Sequence, residues 1–201
     1  REIGLATGEP PAQRGYTPSV FETLPKLLER SGTSKNGTIT AFYTVLVDGD
    51  DMEEPISDTV RGILDGHVIL NRKLAQAYHF PAIDILQSIS RLANRISGEQ
   101  TKKAVGIIRS SMALYAENED LITIGAYVQG SNPKIDAAIV AHEKIEEFLK
   151  QGENEPSSIK DTLIQLGVLA GIEISEEELI GAGAVQEEEK KAQTSQKGQL
   201  L

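Results

Sequence analysis

Apolar residues recur at helical spacing through the second half of the chain and become nearly continuous in short stretches of the first half. Residues 38–47 are dense in β-branched and aromatic side chains, which predicts a strand buried on both faces. Residues 66–70 predict a second, shorter strand. Because a strand of the first kind belongs to a parallel sheet covered by helices, the first half predicts an α/β fold.

Helices are predicted where apolar residues fall three and four positions apart behind a capping residue. The predicted helices cover 20–28 behind Ser19, 59–64, 71–77 with Asn71 as cap, 97–117, 133–149 behind Asn132, and 159–170, which follows the capping stretch Pro156 to Ser158 and ends at Gly171. His142 lies on the apolar stripe of the fifth helix, where a packed histidine is favoured over a metal ligand. The second half is therefore predicted to be all helical.

Composition narrows the chemistry that this chain supports. It has 201 residues, 39% of them hydrophobic, a formal net charge of −10 and no cysteine. The lack of cysteine excludes disulfides, thiolate metal sites and a cysteine nucleophile. The three histidines show no metal-ligand spacing. Basic residues do not cluster as a nucleic-acid surface requires, and no apolar run reaches the ~18 residues of a membrane span.

Common catalytic motifs are absent from the chain. It contains no GxxxxGK[ST] phosphate-binding loop, no GxSxG, no HExxH and no CxxC. From its residues alone the chain is therefore not a convincing enzyme. It also begins without methionine and without the form of a signal peptide, so we expect a fragment or a processed chain.

An acidic loop, residues 48–58, follows the first predicted strand. Ligand loops of open α/β sheets lie at the carboxyl ends of strands. Carboxylates there suit a hard cation, but the spacing is not that of a calcium loop. A solvated loop or a loop that contacts another protein is favoured over a metal site.

The stretch from Phe80 to Leu92 combines an aromatic residue, a proline and an apolar run that leads to Arg91. Arg91 is the only cation between Lys73 and Arg95. An arginine that leaves an apolar strand can clamp a phosphate or carboxylate, since its planar fork bonds two oxygens at once. An ordinary structural ion pair is the alternative.

Six long stretches occur in order along the chain: REIGLA, GEPPAQRGYTPSVF, LPKLLER, GTITAFYTVLVDGDDM, RGILDGH and PAIDILQSISR. They resemble the flagellar and type III secretion export ATPases, a family similar to the subunits of F-type rotary ATPases. The resemblance covers roughly residues 1–170. It implies the back half of a RecA-like P-loop nucleotide-binding domain at 1–95 and an all-helical C-terminal domain at 96–171. Residues 172–201 have no counterpart and are expected to form an acidic, disordered tail.

The resemblance also implies roles for individual residues. Arg91 matches the arginine finger that acts on the nucleotide of a neighbouring subunit. Phe80 and Tyr127 match the two walls of the adenine pocket, with core aromatics as the alternative. The residues that match a loop touching the central stalk are Asp50, Asp51, Glu53 and Glu54. The phosphate loop and the ligands of Mg²⁺ are expected upstream of Arg1.

The implied function is ATP hydrolysis, with Mg²⁺, by a homo-hexameric ring that energises flagellar protein export. The implied partners are a central stalk protein, a regulatory stator protein and export chaperone–substrate complexes. The implied location is cytoplasmic, peripheral at the inner face of the membrane through the export gate. Two alternatives remain open: an F- or V-type rotary ATP synthase subunit, and a catalytically inactive fragment that binds stalk or chaperone partners. The motifs fit flagellar and injectisome systems alike, and the flagellar system is favoured.

Overall fold

The computed structural model describes residues 1–47, 49 and 51–181. The chain forms two compact units, one of residues 1–67 and one that begins at Val68. Short strands occur only within the first ninety residues of the described part, and helices make up nearly all the rest. This order confirms the predicted α/β class followed by a helical region.

The first unit is built mainly from helices and one hairpin. Its elements are α1 (Glu2–Ala6), a 3-10 turn (Gln13–Gly15), α2 (Pro18–Leu28), β1 (Gly32–Ser34), β2 (Gly37–Ile39) and α3 (Pro55–Ile63). Strands β1 and β2 are antiparallel, and α2 packs against α3. The residue that precedes α2 is Thr17 and not the predicted Ser19, because Pro18 is already the first helical residue.

The strand predicted over residues 38–47 is wrong beyond Ile39. Residues 40–47 have no regular structure, and Phe42 and Leu46 are 96% and 90% exposed. A strand that is apolar on both faces becomes stable only when neighbouring strands pair with it and helices cover it. The described residues place no strand beside 40–47. The local pattern is that of a buried strand, but its partners are not among these residues.

The remaining elements lie in the second unit, apart from the start of β3. They are β3 (Gly66–Leu70), α4 (Arg72–Gln76), β4 (Ile83–Ser90), α5 (Ala93–Ile96), α6 (Glu99–Thr123), α7 (Pro133–Leu149), α8 (Ile159–Ala170) and a helix at 176–181, called α9 here. Strand β3 pairs with β4. The predicted domain boundary at residue 95 falls inside this unit and stays a prediction.

The core of the second unit lies where α6 packs against α7 and α8. Its buried members are Ala104, Ile108, Ile145, Leu166 and Ile174. His142 is packed as predicted, with its ring stacked on that of Tyr115 at 3.6 Å between centroids. The amphipathic pattern of α6 to α8 therefore produces the helical packing that it predicts.

Three predicted helix starts and one predicted helix end are confirmed in the second unit, whereas the helix predicted over 97–117 begins at Glu99 and runs to Thr123. The side chains of Asn71, Asn132 and Ser158 each accept a hydrogen bond from a backbone N–H in the first turn of the helix that follows. Gly171 ends α8 in the left-handed conformation, with φ of 66°. These caps are local, so the sequence alone was sufficient to locate them.

The predicted disordered tail is wrong for residues 172–181. Ile174 is 8% exposed within the core, and Ile172 packs against the same cluster. The Glu178 carboxylate accepts hydrogen bonds from the backbone N–H groups of Gln100 and Thr101, each at 3.0 Å, and from the Thr101 hydroxyl at 2.5 Å. An acidic composition suggested a solvated tail, but this acid caps the N-terminus of α6. Residues 182–201 lie outside the described residues.

Replacing Glu178 with alanine is expected to lower the free energy of unfolding by about 1 kcal/mol, the usual contribution of a helix cap. The hydrogen bond from the Thr101 hydroxyl, followed by those from the backbone, lowers the pKa of Glu178 against the opposing effect of desolvation. The contribution is therefore complete above the ordinary glutamate pKa of about 4.3 and is lost as the pH falls through the lowered value.

Urea unfolding at about pH 7 and about pH 3 measures this difference. The gap between wild type and Glu178→Ala should shrink at the lower pH. Glu177→Ala, at an exposed neighbouring position, is the matched control and should change little at either pH. A gap of the same size at both pH values would contradict a role for the ionised carboxylate.

Candidate functional site

Strand β4 separates two of the predicted site residues. Phe80 lies three residues before the strand begins, and Arg91 follows its last residue directly. Within the strand the Ser88 hydroxyl donates to the Asp84 carbonyl oxygen at 2.5 Å, so the backbone bends between these residues. Phe80 and Arg91 therefore lie at opposite ends of a bent strand.

Phe80 presents an aromatic face before β4. Its side chain is 48% exposed and packs edge-on against Tyr78, with 5.9 Å between ring centroids. Tyr78 is itself 87% exposed, at a positive φ of 60°. An aromatic ring that is packed on one edge and open on another suits stacking against a flat ligand.

Arg91 lies in the bend between β4 and α5 and is exposed. The backbone of the bend is held by Ser90, whose hydroxyl accepts a hydrogen bond from the Ala93 N–H at 3.2 Å. A long cationic side chain on a fixed bend at the end of a strand can extend away from its own subunit. The position suits an arginine that contributes to a site elsewhere.

Asp84 is a residue of β4 whose side chain stabilises the strand by hydrogen bonds. The sequence pattern gave no role for it. Its carboxylate accepts hydrogen bonds from the Asn71 side-chain amide at 3.1 Å and from the Gln87 N–H at 3.0 Å. Burial opposes ionisation of Asp84, but these hydrogen bonds outweigh it, so the pKa is lowered. A carboxylate inside an otherwise apolar run was the signal that would have identified it.

Arg109 of α6 also holds β4. Its guanidinium donates to the carbonyl oxygens of Ile85 and Leu86, at 2.7 and 3.1 Å. The sequence pattern predicted a helix over 97–117 and no particular role for Arg109. Its partners are backbone carbonyls more than twenty residues away, so no sequence pattern identifies this contact.

Tyr127 lies in the turn before α7, where its ring is half-buried. Its hydroxyl lies 2.9 Å from a carboxylate oxygen of Asp136 and 3.1 Å from the Asn132 carbonyl oxygen. No ring contact joins Tyr127 to Phe80 in the part of the chain that the structure describes. The structure therefore attaches Tyr127 to the start of α7, and its role as a second wall stays a prediction.

The acidic loop lies in the first unit, and some of the residues predicted to contact a partner are accessible there. Asp50 lies outside the described residues. Asp51 accepts hydrogen bonds from the Arg14 guanidinium and from the Glu53 N–H, and the first of these is the main cause of its lowered pKa. Glu53 is exposed. Asp51 and Glu53 are thus the described members of this set that a partner can reach.

Glu54 has an internal role instead. It is 6% exposed, and its carboxylate accepts hydrogen bonds from the N–H groups of Ile56 and Ser57, each at 3.1 Å. It therefore caps α3, and a hydrogen bond with the same carboxylate raises the pKa of Tyr16. A buried cap is poorly placed for the partner contact that the resemblance implied.

The described residues show neither a metal-ligand group nor a membrane-spanning helix. They contain no group of three or more histidine, aspartate and glutamate side chains placed to hold a metal ion. None of their helices is long and apolar enough to cross a membrane. The expectation that the ligands of Mg²⁺ lie upstream of Arg1 stays a prediction.

Two domain families match the chain in order. Residues 1–90 match the ATP synthase alpha/beta family, nucleotide-binding domain, and residues 97–167 match the T3SS EscN ATPase C-terminal domain. A flagellum-specific ATP synthase of Treponema pallidum (strain Nichols) is 59% identical over 176 residues, which are 88% of this chain and 39% of the relative. Both domains and their order agree with the resemblance.

Solved structures of EscN, from the type III secretion system of enteropathogenic E. coli, share the fold. The assembled ATPase has a TM-score of 0.81 at 44% identity, and covers 85% of this chain and 41% of its own. EscN in complex with its central stalk EscO has a TM-score of 0.74 at 43% identity, and covers 85% and 40%. The chain thus spans about two fifths of the length of these relatives. It belongs to the family of flagellum-specific ATP synthases and type III secretion ATPases.

Proposed function

We propose that this chain is part of an ATP-hydrolysing subunit that works in a ring of six to energise flagellar, type III protein export. Membership of the family and the 59% identity to a flagellum-specific ATP synthase support the proposal. The observation that carries the mechanism is the placement of Phe80 and Arg91 at opposite ends of β4.

This separation divides the two residues between two nucleotides. Phe80 serves the nucleotide of its own subunit, and Arg91 reaches the nucleotide of the next subunit. Each complete site then needs two subunits, and a closed ring gives every subunit one neighbour on each side. Shared sites of this kind make hydrolysis depend on assembly.

The side chains fit these roles. The Phe80 ring is half exposed and can stack on adenine, and Tyr127 is proposed as the second wall of the pocket. Arg91 is an exposed residue, and its guanidinium is proposed to offset negative charge on the phosphoryl group as it transfers. Bound ATP supplies the anhydride bond that breaks. The described residues offer no ligand set for Mg²⁺.

The partners follow from the same proposal. Asp51 and Glu53 of the acidic loop are proposed to face a central stalk, and the existence of an EscN complex with its central stalk supports this. A regulatory stator protein and export chaperone–substrate complexes are proposed as further partners. Through them the ring would lie at the inner face of the membrane, beside the export gate.

Mixing two defective subunits tests the shared site. A complete subunit with Phe80→Ala keeps Arg91, and one with Arg91→Ala keeps Phe80. In mixed rings some interfaces join an intact Phe80 to an intact Arg91, so ATP turnover at limiting ATP should exceed the average of the two pure preparations. An initial-rate ATPase assay across mixing ratios measures this excess.

Expression of the same two variants in cells tests whether the ATPase serves flagellar protein export. Flagellar assembly should recover with the mixed pair and stay impaired with Arg91→Ala alone. Turnover equal to the simple average would contradict a site shared between subunits. Recovery of injectisome secretion without flagellar assembly would assign the chain to the injectisome instead.

A further inference from the structure

The last turns of α7 hold the segment that carries Phe80. His79 is buried, at 3% exposure, and its Nδ1 lies 2.9 Å from a carboxylate oxygen of Glu146. Since a carboxylate only accepts, Nδ1 carries the hydrogen and donates it. The Gln151 N–H, two residues beyond α7, donates to the Phe80 carbonyl oxygen at 2.8 Å. We call His79, Glu146 and Gln151 the α7 clamp.

The clamp acts on the residue that presents the aromatic face. His79 directly precedes Phe80 in the chain, so fixing the His79 ring and the Phe80 carbonyl leaves the Phe80 backbone little freedom. The ring then meets Tyr78 edge-on at 5.9 Å. The proposed mechanism of hydrolysis does not use the buried His79 side chain, which makes its pairing with α7 a separate feature of the site.

We propose that Glu146 is a positioning residue: by holding His79, it fixes the direction in which Phe80 presents its ring, and so couples α7 to affinity for the nucleotide base. This inference rests on the proposed role of Phe80 in adenine stacking. A purely structural ion pair would affect unfolding and leave recognition of the base unchanged.

Glu146 is the residue to vary because its side chain is 28% exposed, so its removal leaves the helix intact. Lys150 supplies a matched control. Its Nζ lies 3.7 Å from the same Glu146 oxygen on the solvent side, and it is 47% exposed. Glu146→Gln is the conservative variant, because its amide oxygen still accepts the hydrogen bond from His79.

The first measurement needs no nucleotide. In the 201-residue chain, the NMR nuclear Overhauser contact between the Tyr78 and Phe80 rings should be lost in Glu146→Ala. It should persist in Glu146→Gln and Lys150→Ala. Persistence in Glu146→Ala would overturn the positioning role, whatever the function of the site.

The second measurement uses the complete subunit, with ATP and inorganic tripolyphosphate as probes. Phe80→Ala should weaken ATP binding about tenfold through lost stacking. Glu146→Ala should weaken it about threefold or more, and should not change the affinity for tripolyphosphate, which has no base. In the Phe80→Ala background, Glu146→Ala should have no further effect.

The outcomes distinguish the proposed role of Phe80 in adenine stacking from the proposed positioning role of Glu146. If Phe80→Ala leaves ATP affinity unchanged, the adenine role fails and the ring contact alone decides whether the clamp positions Phe80. If Phe80→Ala weakens ATP but Glu146→Ala does not, the coupling through α7 is wrong. An equal loss of affinity for ATP and tripolyphosphate in Glu146→Ala would also overturn it.

Discussion

Arg91→Ala is expected to lower the maximal ATP turnover of the complete ring about 10³-fold, while ATP affinity should change by less than about twofold. The reason is that the guanidinium is proposed to act where charge develops during phosphoryl transfer, and so to contribute little to the bound ground state. Steady-state kinetics give the turnover, and equilibrium titration with ATP gives the affinity.

Two variants sharpen this prediction. Arg95→Ala removes a cation four residues further along, at an exposed position in α5, and should leave turnover nearly unchanged. Arg91→Lys keeps the charge but loses the planar fork, so it should recover only part of the activity. Full turnover in Arg91→Ala rings would remove Arg91 from the mechanism and favour a structural role.

The helix ends of the second unit were predictable because the chemistry that sets them is local. Asn71, Asn132 and Ser158 cap helices through N–H groups two or three residues away, and Gly171 needs only its own φ of 66°. Interactions within one turn are visible in the order of residues. Accurate prediction of these helix ends is therefore expected, because capping depends only on nearby residues.

The failures concern interactions between distant parts of the chain. Residues 40–47 have the composition of a buried strand, but pairing partners decide whether a strand forms. Residues 172–181 have the composition of a solvated tail, but Ile174 fits the core and Glu178 fits the end of α6. In the first segment the lack of pairing partners among the described residues, and in the second the presence of tertiary contacts, overrode the local pattern.

The candidate site shows the same difference between local patterns, which the sequence reveals, and long-range contacts, which it does not. Phe80 and Arg91 could be proposed as site residues because a continuous motif carries both. The contacts that hold the motif were missed, since Arg109 binds carbonyl oxygens of β4 and Glu146 binds His79, 67 residues earlier. The motif indicates candidate ligand-contact residues, whereas the fold reveals the residues that hold the backbone around them.

Helix α7 connects the stability of the second unit with its site. Ile145 is 2% exposed within the core formed with α6 and α8, and the next residue, Glu146, reaches out to His79. Ile145→Ala should lower the free energy of unfolding by about 3 kcal/mol, from lost burial and the cavity left behind. Urea unfolding of the 201-residue chain, followed by far-UV circular dichroism, measures the change.

Val140→Ala is the matched control, because it also truncates a β-branched residue of α7 but at a position that is 71% exposed. It should change the free energy of unfolding by less than about 0.5 kcal/mol. Equal losses in the two variants would contradict burial as the source of the cost, because alanine is the better helix former at both positions. A large loss in Ile145→Ala alone would show that the core anchors α7, and with it the carboxylate that holds His79 beside Phe80.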